Sequence, residues 1–295
     1  METTKLNILF ILNPVSGRKK KVDWHNIIIA FFKQKDCKIE FFILTGKNDS
    51  ASIAHWIKKW APDKVVAVGG DGTITLVAKE LLHTQIPLGI LRGGSANGMA
   101  TELKIPADPV TALETILHGR EQSCDVIKIN DRDICLHLSD LGLNARLVKY
   151  YDKSSIRGMW SYARLLIKIL VEGKLMQAVI KTDDLEIKAP AYMIVLANAS
   201  KYGTGAVINP EGLIHDGKFE LVIVRKISLG ALIKMFVSTK PFNPQKVEIF
   251  RTTKAEITVK RKIHFQVDGE YKGKVSKVTA EIIPSALKII VENKN

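Results

Sequence analysis

The stretch VVAVGGDGTITLVAKELL, residues 65–82, decides the fold class of this chain. Its first four residues are small and apolar, which predicts a buried strand, and Gly69–Gly72 follow as a turn. After Thr73 the apolar residues share one face of a helix: Ile74, Val77, Ala78, Leu81 and Leu82. The stretch therefore predicts a buried strand, a glycine turn and the start of a helix.

The glycine turn has the chemistry of an anion site. Glycines let the backbone bend sharply and come close to a phosphate, and the first amides of a helix supply donors and positive potential. Asp71 cannot bind phosphate directly, so we expect it to hold a metal ion or a hydroxyl. The alternative is a tight turn without ligand, capped by Thr73.

The residues up to about 125 alternate short apolar runs with helical patterns. These runs are Leu6–Leu12, Ile27–Phe32, Ile39–Leu44, Ile53–Trp60, Val65–Val68, Ile74–Leu82 and Leu88–Leu91. Alternating strands and helices are typical of a parallel α/β sheet. We predict a Rossmann-like α/β domain over residues 1–125.

The second half has a different texture. Its apolar runs are rich in β-branched residues: Ala191–Ala197, Phe219–Val224, Lys246–Phe250, Glu256–Val259 and Val278–Ile283. Such runs, separated by Gly, Pro and Asp, predict a mainly antiparallel β domain over residues 126–284. One helix is predicted within it, from Gly158 to about Val171, after the basic stretch Lys153–Arg157.

Two further loops follow predicted strands. The first, Asn13–Gly17, precedes the basic run Arg18–Lys21, and Asn, Ser and Gly beside four cations suit a polyphosphate. Its alternative is an Asn-Pro turn with an ordinary solvated basic face. The second, Leu91–Ala100, has small residues that permit close approach, and Asn97 can both donate and accept hydrogen bonds.

Several catalytic classes are excluded. The sequence has no GxxxxGK[ST] loop, no HExxH, and no metal-ligand spacing among its seven histidines. A hydrolase elbow would need glycine where Asn97 stands. The chemistry must therefore rest on carboxylates, backbone amides and a cation.

The segment Phe265–Glu270 supplies two of those carboxylates. Asp268 or Glu270 could take a proton from a hydroxyl or steady a metal-bound phosphate. The alternative is that Val-Asp-Gly-Glu forms only a hairpin turn.

Composition narrows the partners and the compartment. Lys and Arg number 44 against 30 Asp and Glu, and the net charge of +14 attracts nucleotides, nucleic acid or an anionic lipid surface. The three cysteines suggest neither a disulfide framework nor a zinc site. No run approaches the roughly 20 apolar residues of a membrane span, and we expect a cytoplasmic protein.

Together these motifs resemble the family of diacylglycerol kinases, bacterial lipid kinases and sphingosine and ceramide kinases. The resemblance covers essentially the whole chain. It rests on their order and spacing: NPVSG (13–17), Thr45, GGDGTIT (69–75), GGSAN (93–97), DLGLNA (140–145), HDGKFELVIV (215–224) and VDGE (267–270).

The resemblance implies a fold and a set of site residues. It implies a nucleotide domain like those of dinucleotide kinases and phosphofructokinases, completed by residues 285–295, and a C-terminal β-sandwich that binds the lipid. ATP would contact residues in the three loops and Thr45: Asn13, Pro14, Ser16, Gly17, Thr45, Gly69, Gly70, Asp71, Gly72, Thr73, Ser95 and Asn97. Asp268 would be the general base, with Asp71 holding the catalytic Mg²⁺ or competing for the base role.

The resemblance also implies a second, structural magnesium ion. It maps onto Leu213, Asp216 and Lys218, of which Leu213 and Lys218 could offer only backbone carbonyls. One departure concerns the third loop, where Gly98 stands in place of the aspartate of bacterial diacylglycerol kinases. The loop is therefore more similar to that of sphingosine kinases.

The expected partners are a membrane lipid substrate and an anionic membrane surface. Residues Arg157–Lys174 carry a basic face opposite an apolar one, as in a helix at an anionic interface or one packed on a core. The sequence leaves open whether the chain forms a homodimer. The basic residues are dispersed and no nucleic-acid motif is present, so we expect no nucleic-acid partner.

Three alternatives to a lipid kinase remain open on the sequence. They are a dinucleotide (NAD) kinase, a regulatory protein that binds nucleotide without turnover, and a nucleic-acid-binding protein.

Overall fold

The computed structural model describes residues 5–17, 22–153, 175–201, 207–210, 212–226, 243 and 245–293. The chain divides into two compact units, which we call the first and the second unit. The first unit comprises Met1–Cys124 and Ser285–Asn295, and the second comprises Asp125–Pro284.

The first unit alternates strands and helices. Its strands are β1 (Leu6–Leu12), β2 (Cys37–Ile43), β3 (Lys64–Gly69) and β4 (Leu88–Arg92). Its helices are α1 (Trp24–Phe32), α2 (Asp49–Trp60), α3 (Asp71–Leu81), α4 (Gly98–Glu102) and α5 (Pro109–His118).

These four strands pair in parallel in the order β2-β1-β3-β4. Ile8–Ile11 and Val65–Val68 are almost fully buried, as the central strands of a parallel sheet require. Phe10 packs against Phe32 of α1 with ring centres 5.7 Å apart. Since the strands run the same way, the loops that follow β1, β3 and β4 lie at one edge of the sheet.

The second unit is mainly antiparallel. Strand β5 (Arg120–Ile129) carries the chain into it and β14 (Glu270–Val291) carries it out. The strands between them are β6 (Asp133–Cys135), β7 (Leu138–Gly142), β8 (Met176–Thr182), β9 (Glu186–Ala191), β10 (Met193–Ala197), β11 (Phe219–Val224), β12 (Val247–Thr252) and β13 (Lys254–Val267). Helix α6 (Leu143–Lys153) follows β7.

The strands of the second unit pair in the order β12-β11-β10-β7-β13-β14, and β8 joins β13 with β9 beside it. Phe219, Phe265 and Ile257 lie in its main buried cluster. Near the end of β14, Ile289 pairs with Leu88 of β4 within the first unit.

The predicted fold class is confirmed: an α/β nucleotide-type unit and a β-sandwich-type unit are both present. The predicted strand Lys246–Phe250 extends to Thr252 as β12. Helix α6 was not predicted, because its short amphipathic pattern stands among strand-like runs. The predicted helix from Gly158 and the run Arg18–Lys21 lie outside the described residues.

Membrane-spanning helices and disulfides concern the described part of the chain only. Within it, no helix is both long and apolar enough to cross a bilayer. The cysteines Cys37, Cys124 and Cys135 form no disulfide there.

Candidate active site

A cavity of about 730 Å³ opens within the first unit. It is lined by the loop after β1, the start of α1 and the loop after β4, together with Ile43 and Val68. Among the residues predicted to contact nucleotide, five line it: Asn13, Pro14, Ser16, Gly17 and Ser95. A cavity of this volume fits a ligand of nucleotide size.

Glycines bring the three loops together behind this cavity. A Cβ on Gly17 would lie 2.7 Å from the carbonyl oxygen of Gly93, and the φ angle of Gly17 is +70°. A Cβ on Gly94 would lie 2.4 Å from the Cα of Gly70. The N–H of Gly93 also donates to the carbonyl of Gly69 over 2.8 Å. Backbone meets backbone here, so only glycine fits both Gly17 and Gly94.

Side chains then fix the loops to one another. The amide of Asn13 donates to the hydroxyl of Thr73 over 2.9 Å, which joins the first loop to the second. The hydroxyl of Ser16 donates to the carbonyl of Asn13 over 2.8 Å. Asn97 accepts the N–H of Gly94 and donates to the carbonyl of that residue, both over 2.8 Å. Asn13, Thr73 and Asn97 thus hold the loops in shape.

Asp71 links the second and third loops. Its two carboxylate oxygens accept the backbone N–H groups of Gly98 and Met99, each over 2.9 Å. Asp71 therefore caps helix α4 from a different loop. Helix α3, which begins at Asp71, has no side-chain cap of its own, and the N–H of Thr73 in its first turn donates to the carbonyl of Gly70 over 2.9 Å. The start of α3 still supplies the positive potential of a helix N-terminus.

Asp71 also fits one role of a magnesium ligand. Each of its oxygens keeps a second lone pair beyond the amide it accepts. Mg²⁺ in nucleotide sites takes one or two protein carboxylates, and the substrate phosphates supply other ligands. Within the described residues no group of three His, Cys, Asp or Glu converges on one point.

Four residues that line the cavity lie outside every run and loop predicted from the sequence: Val22, Asp23, Trp24 and His25. The indole N–H of Trp24 donates to the carbonyl of Arg92 over 3.2 Å. His25 stacks on Phe41 with ring centres 4.7 Å apart. Ile43 and Arg92, which also line the cavity, lie within the predicted run Ile39–Leu44 and the predicted loop Leu91–Ala100.

The remaining predicted nucleotide residues do not line the cavity. Gly69–Thr73 stand behind it, in contact with the loops that form its wall. Thr45 belongs to the turn before α2, where its N–H and hydroxyl donate to the carboxylate of Asp49 over 3.0 and 2.9 Å. The structure therefore gives Thr45 a role in the local turn.

Asp268 forms a separate site in the second unit. Asp268 and Gly269 have φ angles of +46° and +84° and make the two-residue turn between β13 and β14. The carboxylate of Asp268 accepts the N–H groups of Leu136, His137 and Leu138 over 2.8, 2.9 and 3.2 Å. The segment thus forms the hairpin turn of the alternative interpretation and also holds the Asp268 carboxylate in a specific position.

The surroundings of Asp268 set its proton affinity. Burial raises the pKa of the Asp268 carboxyl, and the N–H groups of Leu136 and His137 act in the opposite direction. Burial and the nearby Asp268 charge raise the pKa of the Cys135 thiol well above its usual value, so Cys135 stays protonated and donates to Asp268 over 3.3 Å. A carboxylate with raised pKa is a better proton acceptor than an ordinary one.

A buried polar network supports this turn. The N–H of Gly269 donates to the side-chain oxygen of Gln266 over 2.7 Å. Gln266 and Asn144 donate to one oxygen of Asp140 over 2.5 and 2.6 Å. Asp140 and Asn144 belong to the DLGLNA motif, which therefore positions the turn.

Glu270, the other carboxylate predicted in this segment, is placed differently. It is exposed and pairs with Lys272 over 3.1 Å.

The residues mapped to a structural magnesium do not fit that ion. One oxygen of Asp216 accepts the N–H of Lys218 over 3.1 Å, and the other is bonded by the guanidinium of Arg251. Arg251 also lies 3.3 Å from the buried carboxylate of Glu220. Leu213 is half-exposed. The guanidinium of Arg251 supplies the positive charge beside Asp216.

Comparisons with known families match both units. Residues 7–129 match the family described as "Diacylglycerol kinase catalytic domain". Residues 139–291 match the family described as "YegS C-terminal NAD kinase beta sandwich-like domain". The chain belongs to this family of lipid kinases.

Curated members of the lipid kinase family align with most of the chain. "Probable lipid kinase YegS-like" of Klebsiella pneumoniae (strain 342) is 30% identical over 88% of this chain and 88% of its own length. "Diacylglycerol kinase" of Bacillus subtilis (strain 168) is 24% identical over 89% of each. The predicted family is therefore confirmed.

A solved structure shows the same fold. The chain is similar to a diacylglycerol kinase from Bacillus anthracis str. Sterne with a TM-score of 0.74, over 98% of this chain and 97% of that one. Their sequence identity is 16%, so this likeness concerns the fold alone. The predicted class of enzyme, a kinase within the transferases, agrees with the family.

Proposed function

We propose that this chain is an ATP-dependent lipid kinase that transfers the γ-phosphate to a hydroxyl of diacylglycerol or a related lipid such as a sphingoid base. The observation that carries the proposal is the cavity of the first unit, whose wall is built from glycine loops. Phosphoryl transfer asks a protein for positioning and charge neutralisation more than for covalent chemistry. Glycine loops at strand ends provide close backbone contact for that purpose.

In this proposal the loops after β1 and β4 hold ATP in the cavity. Asn13, Ser16, Gly17 and Ser95 line it, and the amides at the start of α3 favour phosphate nearby. Among the described residues that line the cavity, Arg92 is the one lysine or arginine, and its guanidinium adds positive charge. Mg²⁺, when bound, would be held by Asp71 and would neutralise phosphate charge.

Asp268 is the proposed general base. It takes the proton of the lipid hydroxyl while that oxygen forms a bond to the γ-phosphorus and the bond to the ADP oxygen breaks. The raised pKa of its buried carboxyl supports this role. Glu270 pairs with Lys272 and has no comparable environment.

The proposed location is the cytoplasm, with peripheral contact to the membrane that contains the substrate. The net charge of +14 supports attraction to an anionic lipid surface.

The experiment is transfer of labelled γ-phosphate from ATP onto diacylglycerol, sphinganine, ceramide and monoacylglycerol in mixed micelles, with NAD as a further acceptor. A labelled lipid is expected, and the acceptor that gains label names the substrate. Label on NAD and on none of the lipids would instead support a dinucleotide kinase, a class that shares the sandwich type named for residues 139–291.

A further inference from the structure

A second cluster of charged and aromatic side chains lies in the second unit, beside the Asp268 turn network, since Tyr271 pairs with Gln266 in the β13-β14 hairpin. It consists of Arg146, Lys149 and Tyr150 on α6, His264 on β13, and Tyr271 and Lys274 on β14. We call it the basic-aromatic cluster. Neither the proposed transfer nor the fold core uses it.

The cluster is held together by ring contacts. The Lys149 ammonium lies 5.6 Å from the centre of the Tyr271 ring and 5.8 Å from that of Tyr150. The Arg146 guanidinium lies 5.5 Å from the Tyr150 ring. His264 and Tyr271 share a hydrogen bond of 2.7 Å. Lys274 is paired opposite His264 in the β13-β14 hairpin.

The two lysines of this cluster form no ion pair with a described carboxylate, whereas neighbouring lysines do. Lys254, Lys272 and Lys277 of the same two strands pair with carboxylates over 2.9, 3.1 and 2.8 Å. Within the described parts of the chain, Lys149 and Lys274 have no ion pair. Lys149 and Lys274 therefore carry positive charge that no described carboxylate pairs with.

The positive region continues along the hairpin. Lys260, Arg261 and Lys262 are all exposed at a register irregularity in β13 and form no ion pair with any described carboxylate. Tyr150 is 40% exposed, so an aromatic ring stands beside the cations. Aromatic rings with a polar end and cationic side chains are the residues that favour a membrane–water interface.

The pKa of His264 responds to the positive charge of this cluster. Burial, as the largest cause, and the charges of Lys149, Lys274 and Arg146 together lower the pKa of His264 to about 4. His264 is therefore neutral near pH 7, and the positive potential belongs to the lysines and the arginine.

We propose that the basic-aromatic cluster is the surface of the second unit that binds anionic phospholipid head groups of a bilayer. The inference rests on the proposed function, because a lipid kinase must reach a substrate held in a membrane. It adds a named site, in which Lys149 and Lys274 bind head-group phosphates and Tyr150 lies at the interface. Each lysine near such a surface strengthens binding roughly fivefold.

The test is co-sedimentation of the full chain with phosphatidylcholine vesicles, with and without phosphatidylglycerol. The double variant Lys149→Gln/Lys274→Gln should bind the anionic vesicles roughly tenfold to thirtyfold more weakly than wild type. The control Lys254→Gln/Lys277→Gln removes the same charge from two ion-paired lysines of this hairpin. It should bind within about threefold of wild type, and Lys149→Arg/Lys274→Arg should retain binding.

Equal losses in the two glutamine double variants would overturn the proposal, since net charge alone would then explain binding. Unchanged vesicle binding in Lys149→Gln/Lys274→Gln would overturn the proposal as well. If a parallel assay showed that this variant loses binding only to duplex DNA, the cluster would be a nucleic-acid surface and the proposal would also fail. Phosphorylation of a short-chain, water-soluble diacylglycerol should be equal in wild type and this variant. If wild type phosphorylates no lipid yet shows the selective vesicle binding, the proposed function fails and the docking surface stands.

Discussion

The carboxylate of Asp71 accepts the backbone N–H of Met99 over 2.9 Å, across 28 residues of sequence. The acidic residue of the second loop therefore holds the start of α4, which follows the third loop. Helix α4 has five residues and is too short to be stable alone. This contact is one of those that hold the GGSAN loop at the cavity, together with the N–H of Gly93 on the carbonyl of Gly69.

Replacing Asp71 with Ala should lower both stability and turnover. Two backbone N–H groups would lose their acceptor, at a cost of about 1–3 kcal/mol in the free energy of unfolding. Urea denaturation checks the stability, and phosphate transfer to lipid checks the turnover. Asp71→Asn, which keeps one accepting oxygen, should lose less stability. A variant with wild-type stability would show that the contact to α4 is not significant.

Replacing Gly17 with Ala should weaken ATP binding at least about tenfold, equivalent to about 1.4 kcal/mol. The new methyl group would lie 2.7 Å from the Gly93 carbonyl oxygen, so the cavity wall must move. Quenching of Trp24, which lines the cavity, measures the binding, with Trp24→Phe to identify the signal. Gly273→Ala is the matched control, because Gly273 also has a positive φ but nothing within 4 Å of its Cβ position. Equal effects at the two sites would point to backbone strain alone.

Asp268 should give turnover a characteristic dependence on pH. Burial raises its folded pKa above the ordinary 3.8, so the ionised base is lost as the pH falls through a value higher than 3.8. For stability the sign is opposite: the contribution of this group is complete below pH 3.8 and disappears as the pH rises through the folded pKa.

Asp268→Asn should reduce turnover on lipid by at least about a hundredfold and leave ATP binding in the cavity unchanged. The rate measured against pH in wild type should show the acid limb described above. Retained turnover in Asp268→Asn would transfer the base role to Asp71.

Arg251→Gln should destabilise the second unit. It leaves Asp216 and the buried Glu220 without their cation, and burial already raises the pKa of Glu220. Because Arg251 is half-exposed, we expect a loss of about 1–3 kcal/mol in urea denaturation. Lys254→Gln, which breaks an exposed pair, should change little. A melting temperature of wild type that falls on addition of EDTA, without nucleotide, would instead support a structural metal ion.

The sequence predicted the first unit well because strand, glycine and helix signals agree there. Val65–Val68 is predicted as a buried strand and the residues after Thr73 as a helix, and both are found, although α3 already begins at Asp71. Helix α5 was not predicted, although its sequence carries clear signals, with Asp108 as N-cap and Pro109 at its first position.

Contacts between distant residues could not be predicted in this way. The pairing of Asp71 with Met99, or of Asp268 with the N–H groups after Cys135, depends on which strand ends meet in three dimensions. Trp24 and His25 reach the cavity only because α1 begins beside it. Likewise, nothing around Asp216 in the sequence indicates that its partner is Arg251, 35 residues away.

Phosphate transfer by variants of the cavity wall shows whether the ATP used in the reaction lies in this cavity. Labelled γ-phosphate transfer from ATP to the lipid panel is measured at subsaturating ATP for wild type, Gly17→Ala and Gly273→Ala. We predict labelled lipid from wild type and Gly273→Ala, and at least about tenfold less from Gly17→Ala. No labelled lipid from wild type, or equal transfer by Gly17→Ala, would contradict a lipid kinase whose ATP lies in this cavity.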